Sequence, residues 1–283
     1  IAFRVRPPYK TNLTTSLYNK PAPSSDPTKQ SIFLIGKERV PSAEARSIEL
    51  FMQEMDETET ERAVIMGRKA DDYGSVDNDE IDELARAYPG RFIPFAGVNP
   101  NLPGQVEEIE RVAAMGFRGV GIDAGWLRRP LYHDDPVFDP IYAKCQELGM
   151  IVSLTSSFML GPDLSYSEPC AIQRVAMKYP NMKIVVPHGC WPHVHAALAV
   201  AIRCPNVYLM PDCYIYIDGF ALSDEYIKAA NTYLKYRILY ASSYRCAASA
   251  SASGVGSRAA SPTKPSRTRS TTTPPGFLVK NKT

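Results

Sequence analysis

The feature that most constrains this chain is a rhythm. Eight short apolar, β-branched runs recur at 2–5, 63–66, 92–98, 119–122, 151–155, 184–187, 207–210 and 238–241. Amphipathic stretches at 43–55, 78–88, 105–115, 140–148, 169–179, 193–202 and 224–234 lie between most of them. Strand–helix alternation implies parallel strands joined by right-handed crossovers. Eight units favour closure into a (β/α)8 TIM barrel, a fold of about 250 residues, and the chain has 283. The helix ends carry matching punctuation: Tyr88-Pro89-Gly90, Leu148-Gly149-Met150 and Tyr179-Pro180-Asn181 each stop a helix just before a strand.

Two stretches stand outside this rhythm. Residues 7–40 are long, polar and rich in Pro, Ser and Thr, and are expected to form an excursion over the barrel mouth. Residues 245–283 form a low-complexity tail with seven Lys/Arg and no Asp/Glu. The net charge of +2 is misleading for that reason: without the tail, 25 basic residues face 30 acidic ones. A mildly acidic body argues against a nucleic-acid surface. No apolar run approaches the ~18 residues of a membrane span, and no signal peptide is visible, although the chain begins at Ile1 and not at Met. Six cysteines without a CxxC pair, mostly in apolar stretches, point to a reduced, cytoplasmic protein.

Five segments carry a resemblance. They are Phe117–Asp123 (FRGVGID), 138–152 (FDPIYAKCQELGMIV), Lys183–Pro192 (KIVVPHGCWP), Asn206–Tyr214 (NVYLMPDCY) and Arg237–Tyr244 (RILYASSY). In order and spacing they resemble strands four to eight of the amidohydrolase-related proteins of the aminocarboxymuconate-decarboxylase type. The resemblance covers most of residues 60–244 and implies a (β/α)8 barrel over 1–244. It also bears on the tail. Codons for residues 261–283 can be chosen so that another frame reads LSDEALQDKVYYNPAGLLGQEQD, which is similar to the usual end of this family. A base lost near Tyr244 is then the expected origin of the tail. On that reading the barrel lacks its last helix, and the apolar surface left bare predicts poor stability or an oligomer that covers it.

The resemblance also implies a metal site that this sequence does not keep. The first strand of the family carries Asp-x-His-x-His, where Ala2, Arg4 and Arg6 stand here. Thr155 occupies the place of the strand-five histidine and Ser243 that of the strand-eight aspartate; only His188 is retained. Zinc needs about three protein ligands, and guanidiniums do not deprotonate to supply them. No cofactor is therefore expected, and metal-activated water is not the expected mechanism. The alternative is zinc or another divalent metal held by His188, Asp212 and another acid.

Chemistry in such barrels sits at the C-terminal ends of the strands. Those ends present Arg4, Arg6, Arg68, Asn99, Asp123, Thr155, His188, Asp212 and Ser243. Residues at i and i+2 share a face of a strand, so Arg4 and Arg6 are expected side by side. Paired guanidiniums suit a carboxylate, phosphate or enolate. His188 is the candidate general acid or base, with Asp212 or Asp123 orienting it or acting as a second such group. Trp191, Tyr214 and Tyr244 are expected to wall a planar substrate. His133 with Asp134 and Asp135 reads as a solvated loop. The expected function is a metal-independent hydrolase or lyase, of decarboxylase or lactonase type, acting on a small carboxylated, aromatic or lactone-like molecule. A non-catalytic relative that binds a small anion or a partner protein is the alternative. A homo-oligomer is expected, with neither nucleic acid nor membrane as partner.

Overall fold

The computed structural model describes residues 1–5, 7, 41–71, 74–158, 160–215 and 220–241. The expected mouth excursion, Pro7 apart, and the tail at 245–283 lie outside them. The strands are β1 (Ala2–Val5), β2 (Ala63–Met66), β3 (Arg68–Lys69), β4 (Ser75–Val76), β5 (Phe92–Gly97), β6 (Gly119–Ile122), β7 (Ile151–Leu154), β8 (Ile184–Pro187) and β9 (Val207–Met210). The helices are α1 (Pro41–Ala45), α2 (Ile48–Glu57), α3 (Asn78–Ala87), α4 (Gln105–Ala114), α5 (Asp139–Glu147), α6 (Pro169–Lys178), α7 (Val194–Arg203) and α8 (Ser223–Asn231).

Seven strands form one parallel sheet in the order β1-β2-β5-β6-β7-β8-β9. Each is laid beside its predecessor, with no reversal. That is the winding of a TIM barrel; a doubly wound sheet reverses direction at a switch point. The eighth expected strand is reduced to one parallel bridge, Leu209 to Ile238, backed by Leu239 N donating to the Leu209 carbonyl at 2.8 Å. Two elements differ from expectation. The helix expected at 43–55 is divided, because Arg46 takes a left-handed φ of 51° and Ser47 then caps α2 by accepting from Leu50 N. The unforeseen pair β3–β4 is a short antiparallel hairpin beside the mouth.

The strands alternate between two apolar layers, as their period of two requires. Ala2, Val5, Ala63, Ile65, Val120, Val152 and Leu209 face the helices, packing in one cluster with Phe51, Ile81 and Ile109. Phe3, Val64, Met66, Phe95, Ile151, Val185 and Met210 fill the barrel axis. Phe3 meets Phe95 edge-on at 5.4 Å. Room for these large groups comes from β6: a Cβ on Gly119 would lie 2.5 Å from the Phe95 ring, and one on Gly121 2.6 Å from the Met66 methyl.

β1 breaks the alternation once. Ala2 pairs with Ala63 but Val5 with Ile65, three steps against two, so one residue is extra. Arg4 has the left-handed φ of 56° typical of such a bulge. Ala2 and Val5 both face the helices, so Ala2 does not share the face of Arg4 that strict alternation had given it.

Candidate active site

The ends of the barrel strands deliver six polar side chains to one place: Arg4 on β1, Arg68 after β2, Asp123 after β6, Thr155 after β7, His188 after β8 and Asp212 after β9. Arg4 lies at the centre. Its Nη1 lies 2.5 Å from His188 Nε2, and its Nη2 donates to Thr155 Oγ1 at 3.4 Å. The same guanidinium is 3.6 Å from Asp212 and 3.7 Å from Asp123. Arg68 Nε pairs with the other Asp123 oxygen at 3.0 Å, and its guanidinium lies 4.7 Å from the Trp126 ring centroid.

These contacts fix the protonation of His188. A guanidinium has donors only, so the Nε2 that faces Arg4 carries a lone pair. Nδ1 then bears the hydrogen and donates to Asp212 Oδ1 at 2.9 Å. His188 is a neutral imidazole, oriented by a carboxylate and capped by an arginine. Burial opposes the charge on Asp212, yet His188, Arg4 and the Cys213 N–H hold its carboxyl well below the usual carboxylate range. Two guanidiniums and two carboxylates leave this buried network balanced in charge.

The backbone is unusual at the same points. Arg4 (φ 56°), His188 (64°), Cys190 (65°) and Asp212 (41°) all adopt left-handed conformations. For non-glycine residues this costs about 1–2 kcal/mol each, and strain of this kind gathers at functional sites. Tyr226 holds the His188 turn by donating to the Gly189 carbonyl at 2.8 Å.

Beside His188 stands an aromatic wall. Tyr214 is buried, hydrogen-bonds Ser157 Oγ at 2.8 Å and stacks on Trp191 at 5.3 Å. Phe220 packs on Trp191 at 4.3 Å, and Phe158 meets Trp191 edge-on at 5.1 Å. Trp191 and Tyr214 were expected here. Phe158 and Phe220 were not, because neither lies on a strand end that alternation can place.

Other expectations divide. Asp123 makes its ion pairs with the arginines, while Asp212 accepts from His188. Asn99 is buried but turns to Asp71, donating to it at 3.0 Å. Arg6, Ser243 and Tyr244 lie outside the described residues. His133 is corrected: it is buried, not solvated. Its Nε2 bonds the Thr155 carbonyl at 3.0 Å, and burial pushes its pKa down to about 4. Asp134 does sit at the surface, paired with Arg174.

Whether these residues suit a divalent ion can be tested on the geometry. His188, Asp212 and Cys213 offer ligand atoms within 4.8 Å of one another. A metal on an imidazole sits about 2.0–2.1 Å from the nitrogen. Arg4 Nη1 is 2.5 Å from that nitrogen, so ion and guanidinium would overlap. With Arg4 in place the site does not fit a divalent metal.

A family model described as amidohydrolase matches residues 28–248. A solved structure of an uncharacterized TIM-barrel protein, Bb4693 from Bordetella bronchiseptica, is 31% identical with a TM-score of 0.79, over 93% of this chain and 92% of that one. More distant is the 5-carboxyvanillate decarboxylase LigW from Sphingomonas paucimobilis, at 17% identity and TM-score 0.58 over 78% of this chain and 81% of that one. A dihydroxybenzoic acid decarboxylase from Polaromonas sp. JS666, solved with bound manganese and an inhibitor, has 17% identity and TM-score 0.54 over 75% and 79%. No curated protein matches.

Proposed function

This chain belongs to the amidohydrolase family, and from that premise we propose that it is a hydrolase or lyase, of decarboxylase or lactonase type, that acts on a small planar carboxylate without a metal ion. The observation that carries this reading is the connected line Arg4–His188–Asp212 at the mouth of the barrel. The names of its fold relatives, which include decarboxylases of carboxylated aromatic molecules, agree in substrate class.

The hydrogen bonds order the steps. In the resting site Arg4 caps the one lone pair that His188 can use. A substrate carboxylate is a stronger acceptor for a guanidinium than a neutral imidazole is. It draws Arg4 toward itself and uncovers Nε2. His188 then takes a proton from water or from the substrate, and Asp212 stabilises the imidazolium that results. Arg68 gives a second guanidinium toward the same anion, and Asp123 bridges the two arginines. Thr155 fixes the second Arg4 nitrogen. Trp191 and Tyr214 receive the flat face of the ring. Arg6, Ser243 and Tyr244 remain proposed substrate contacts. A cytoplasmic homo-oligomer is part of the same proposal.

The test is a panel of aromatic and lactone carboxylates incubated with purified protein and followed by chromatography, with and without a chelator. Turnover that survives chelation and vanishes in Arg4→Ala supports the reading. Turnover that requires added metal overturns its metal-free part. One observation favours the non-catalytic alternative: each described arginine of the site already has a carboxylate partner. Binding of an anion with no product from any member of the panel would select it.

A further inference from the structure

Three consecutive residues after β8 take the left-handed conformation: His188 (φ 64°), Gly189 (60°) and Cys190 (65°). Two of them carry a Cβ that opposes it, so the turn that aims His188 has to be held from outside. One grip is the Ser156 carbonyl, which accepts from Cys190 N at 3.2 Å. The other comes from far along the chain. Tyr226, on α8 and fully buried, donates its hydroxyl to the Gly189 carbonyl at 2.8 Å. We infer that Tyr226 is a positioning residue for His188: its hydroxyl fixes the left-handed turn and, through it, the direction in which the imidazole presents Nε2. The inference rests on the reading of His188 as the group that moves the proton, and adds α8 to the machinery around it.

The fit is close on both sides. A Cβ on Gly189 would lie 3.0 Å from Cζ and from the hydroxyl oxygen of Tyr226, so the ring rests on the one residue of the turn that has no side chain. The segment leading into Tyr226 grips the next part of the same turn. Phe220 packs on Trp191 at 4.3 Å, and the Ala221 carbonyl accepts from Trp191 Nε1 at 2.9 Å. Residues 220–226 therefore meet residues 189–191 at three points. Burial raises the Tyr226 phenol well above its ordinary pKa, so it remains a donor across the range in which an imidazole exchanges its proton.

The lever is what gives this hydrogen bond its reach. The imidazole lies farther from the turn axis than the carbonyl that Tyr226 holds, so a small rotation of the turn swings both ring nitrogens. Nδ1 would leave Asp212, now at 2.9 Å, and Nε2 would leave Arg4, now at 2.5 Å. A displacement of about 1 Å at a reacting group costs on the order of 10²-fold in rate. A tyrosine that only packs would behave otherwise: loss of its hydroxyl would lower stability and leave the imidazole as it is.

The experiment uses the full chain, its Tyr226→Phe variant and Ala229→Gly as a control, which weakens the same helix at a buried position three residues on. The first readout is the nitrogen NMR spectrum of the four histidines, with His188 assigned by its loss in His188→Gln. The wild type should show His188 as one neutral tautomer with its hydrogen on Nδ1. In Tyr226→Phe, which keeps the ring and loses only the hydroxyl, that hydrogen should exchange about tenfold faster and the two tautomers should mix. Ala229→Gly should keep the wild-type pattern. On any substrate found in the carboxylate panel, kcat of Tyr226→Phe should fall about 10–100-fold with KM within about twofold, and Ala229→Gly should keep its rate. If Tyr226→Phe does not fold, amide exchange in the wild type carries the test. The Cys190 and Trp191 N–H groups should then exchange within about tenfold of those of α8, because one clamp opens both. A wild-type His188 pattern or an unchanged kcat in folded Tyr226→Phe overturns the inference, as do an equal change in Ala229→Gly and turn amides that open independently of α8. Absence of turnover across the whole panel overturns the proposed function instead, and the histidine spectra then decide this inference alone.

Discussion

Phe3 and Arg4 are consecutive and both buried, 3% and 8% exposed, yet they belong to regions with opposite physics. Phe3 lies in the barrel axis, where apolar groups interdigitate and strands alternate as expected. Arg4 lies in the mouth, where charges are buried in pairs and the backbone turns left-handed at four non-glycine residues. Burial at the axis stabilises the fold, by about 1.5–3 kcal/mol for each large side chain. Burial at the mouth costs desolvation and backbone strain, which the rest of the fold must offset. The comparison teaches that the two regions should fail differently. Damage to the mouth should remove chemistry and spare the fold; damage to the axis should do the reverse.

The sharpest way to break that contrast is Asp212→Asn. Oδ1 accepts from His188 Nδ1 and from the Cys213 N–H, so the amide oxygen will take that place and the imidazole keeps its tautomer. Only the charge is lost. Without it the imidazolium has no counter-ion, and turnover is expected to fall about 10²–10⁴-fold, with KM moving little. The denaturation midpoint should shift far less than for a core substitution. A loss of folding in place of a loss of rate would show that the mouth holds the barrel together.

The mirror experiment is Phe95→Ala, at the axis against Phe3. Loss of this ring should cost about 3–5 kcal/mol, read from urea denaturation. Activity per folded molecule should persist.

How much of each region was legible follows from the same contrast. The axis and its helix-facing layer could be read because a period of two is a local signal: Ala63-Val64-Ile65-Met66 announces both faces at once. The mouth obeys no period. The bulge at Arg4 adds one residue, so Ala2 does not share the face of Arg4 that strict alternation would give it, although Arg4 itself arrives where a strand end should place it. Thr155, His188 and Asp212 were readable as strand ends. That Arg4 caps the His188 lone pair was not, since 184 residues separate them. Phe158 and Phe220 meet only across Trp191 and Tyr214. His133 followed by two aspartates looks solvated in sequence; only packing reveals that the ring turns inward while Asp134 turns out. The break at Arg46 does have a local signal, Ser47 as the cap of α2.

His133 supplies a third prediction, a pH dependence that reaches across from mouth to fold. Its folded pKa is near 4, below the ordinary value of about 6.5. The folded state therefore keeps it neutral while the unfolded chain protonates, and stability is lost as pH falls from about 6.5 to 4, by roughly 3 kcal/mol. Asp212 has the opposite chemistry and the same sign of shift for a carboxylate. Its contribution is present above the ordinary carboxylate pKa of about 3.9 and disappears as pH falls below it. Urea denaturation at pH 7, 5 and 4 should show the first loss in the wild type and a shallower one in His133→Gln. Equal slopes would remove His133 as its cause.

The smallest effect tests the packing rule of the axis itself. A Cβ on Gly119 would fall 2.5 Å from Phe95 Cε2 and 2.4 Å from the Ile151 carbonyl oxygen. Gly119→Ala should therefore destabilise by about 1–3 kcal/mol through overpacking. That clash is partly with a side chain, Phe95, and partly with backbone, the Ile151 carbonyl. Phe95→Leu in the same molecule removes the first and not the second, so the double variant should recover part of the cost of Gly119→Ala, with a coupling of about 0.5–1 kcal/mol. Full recovery would mean that the strands at Ile151 yield easily and that the axis is softer than its close packing implies. No recovery would mean that backbone separation between β6 and β7, not ring volume, requires glycine at this position.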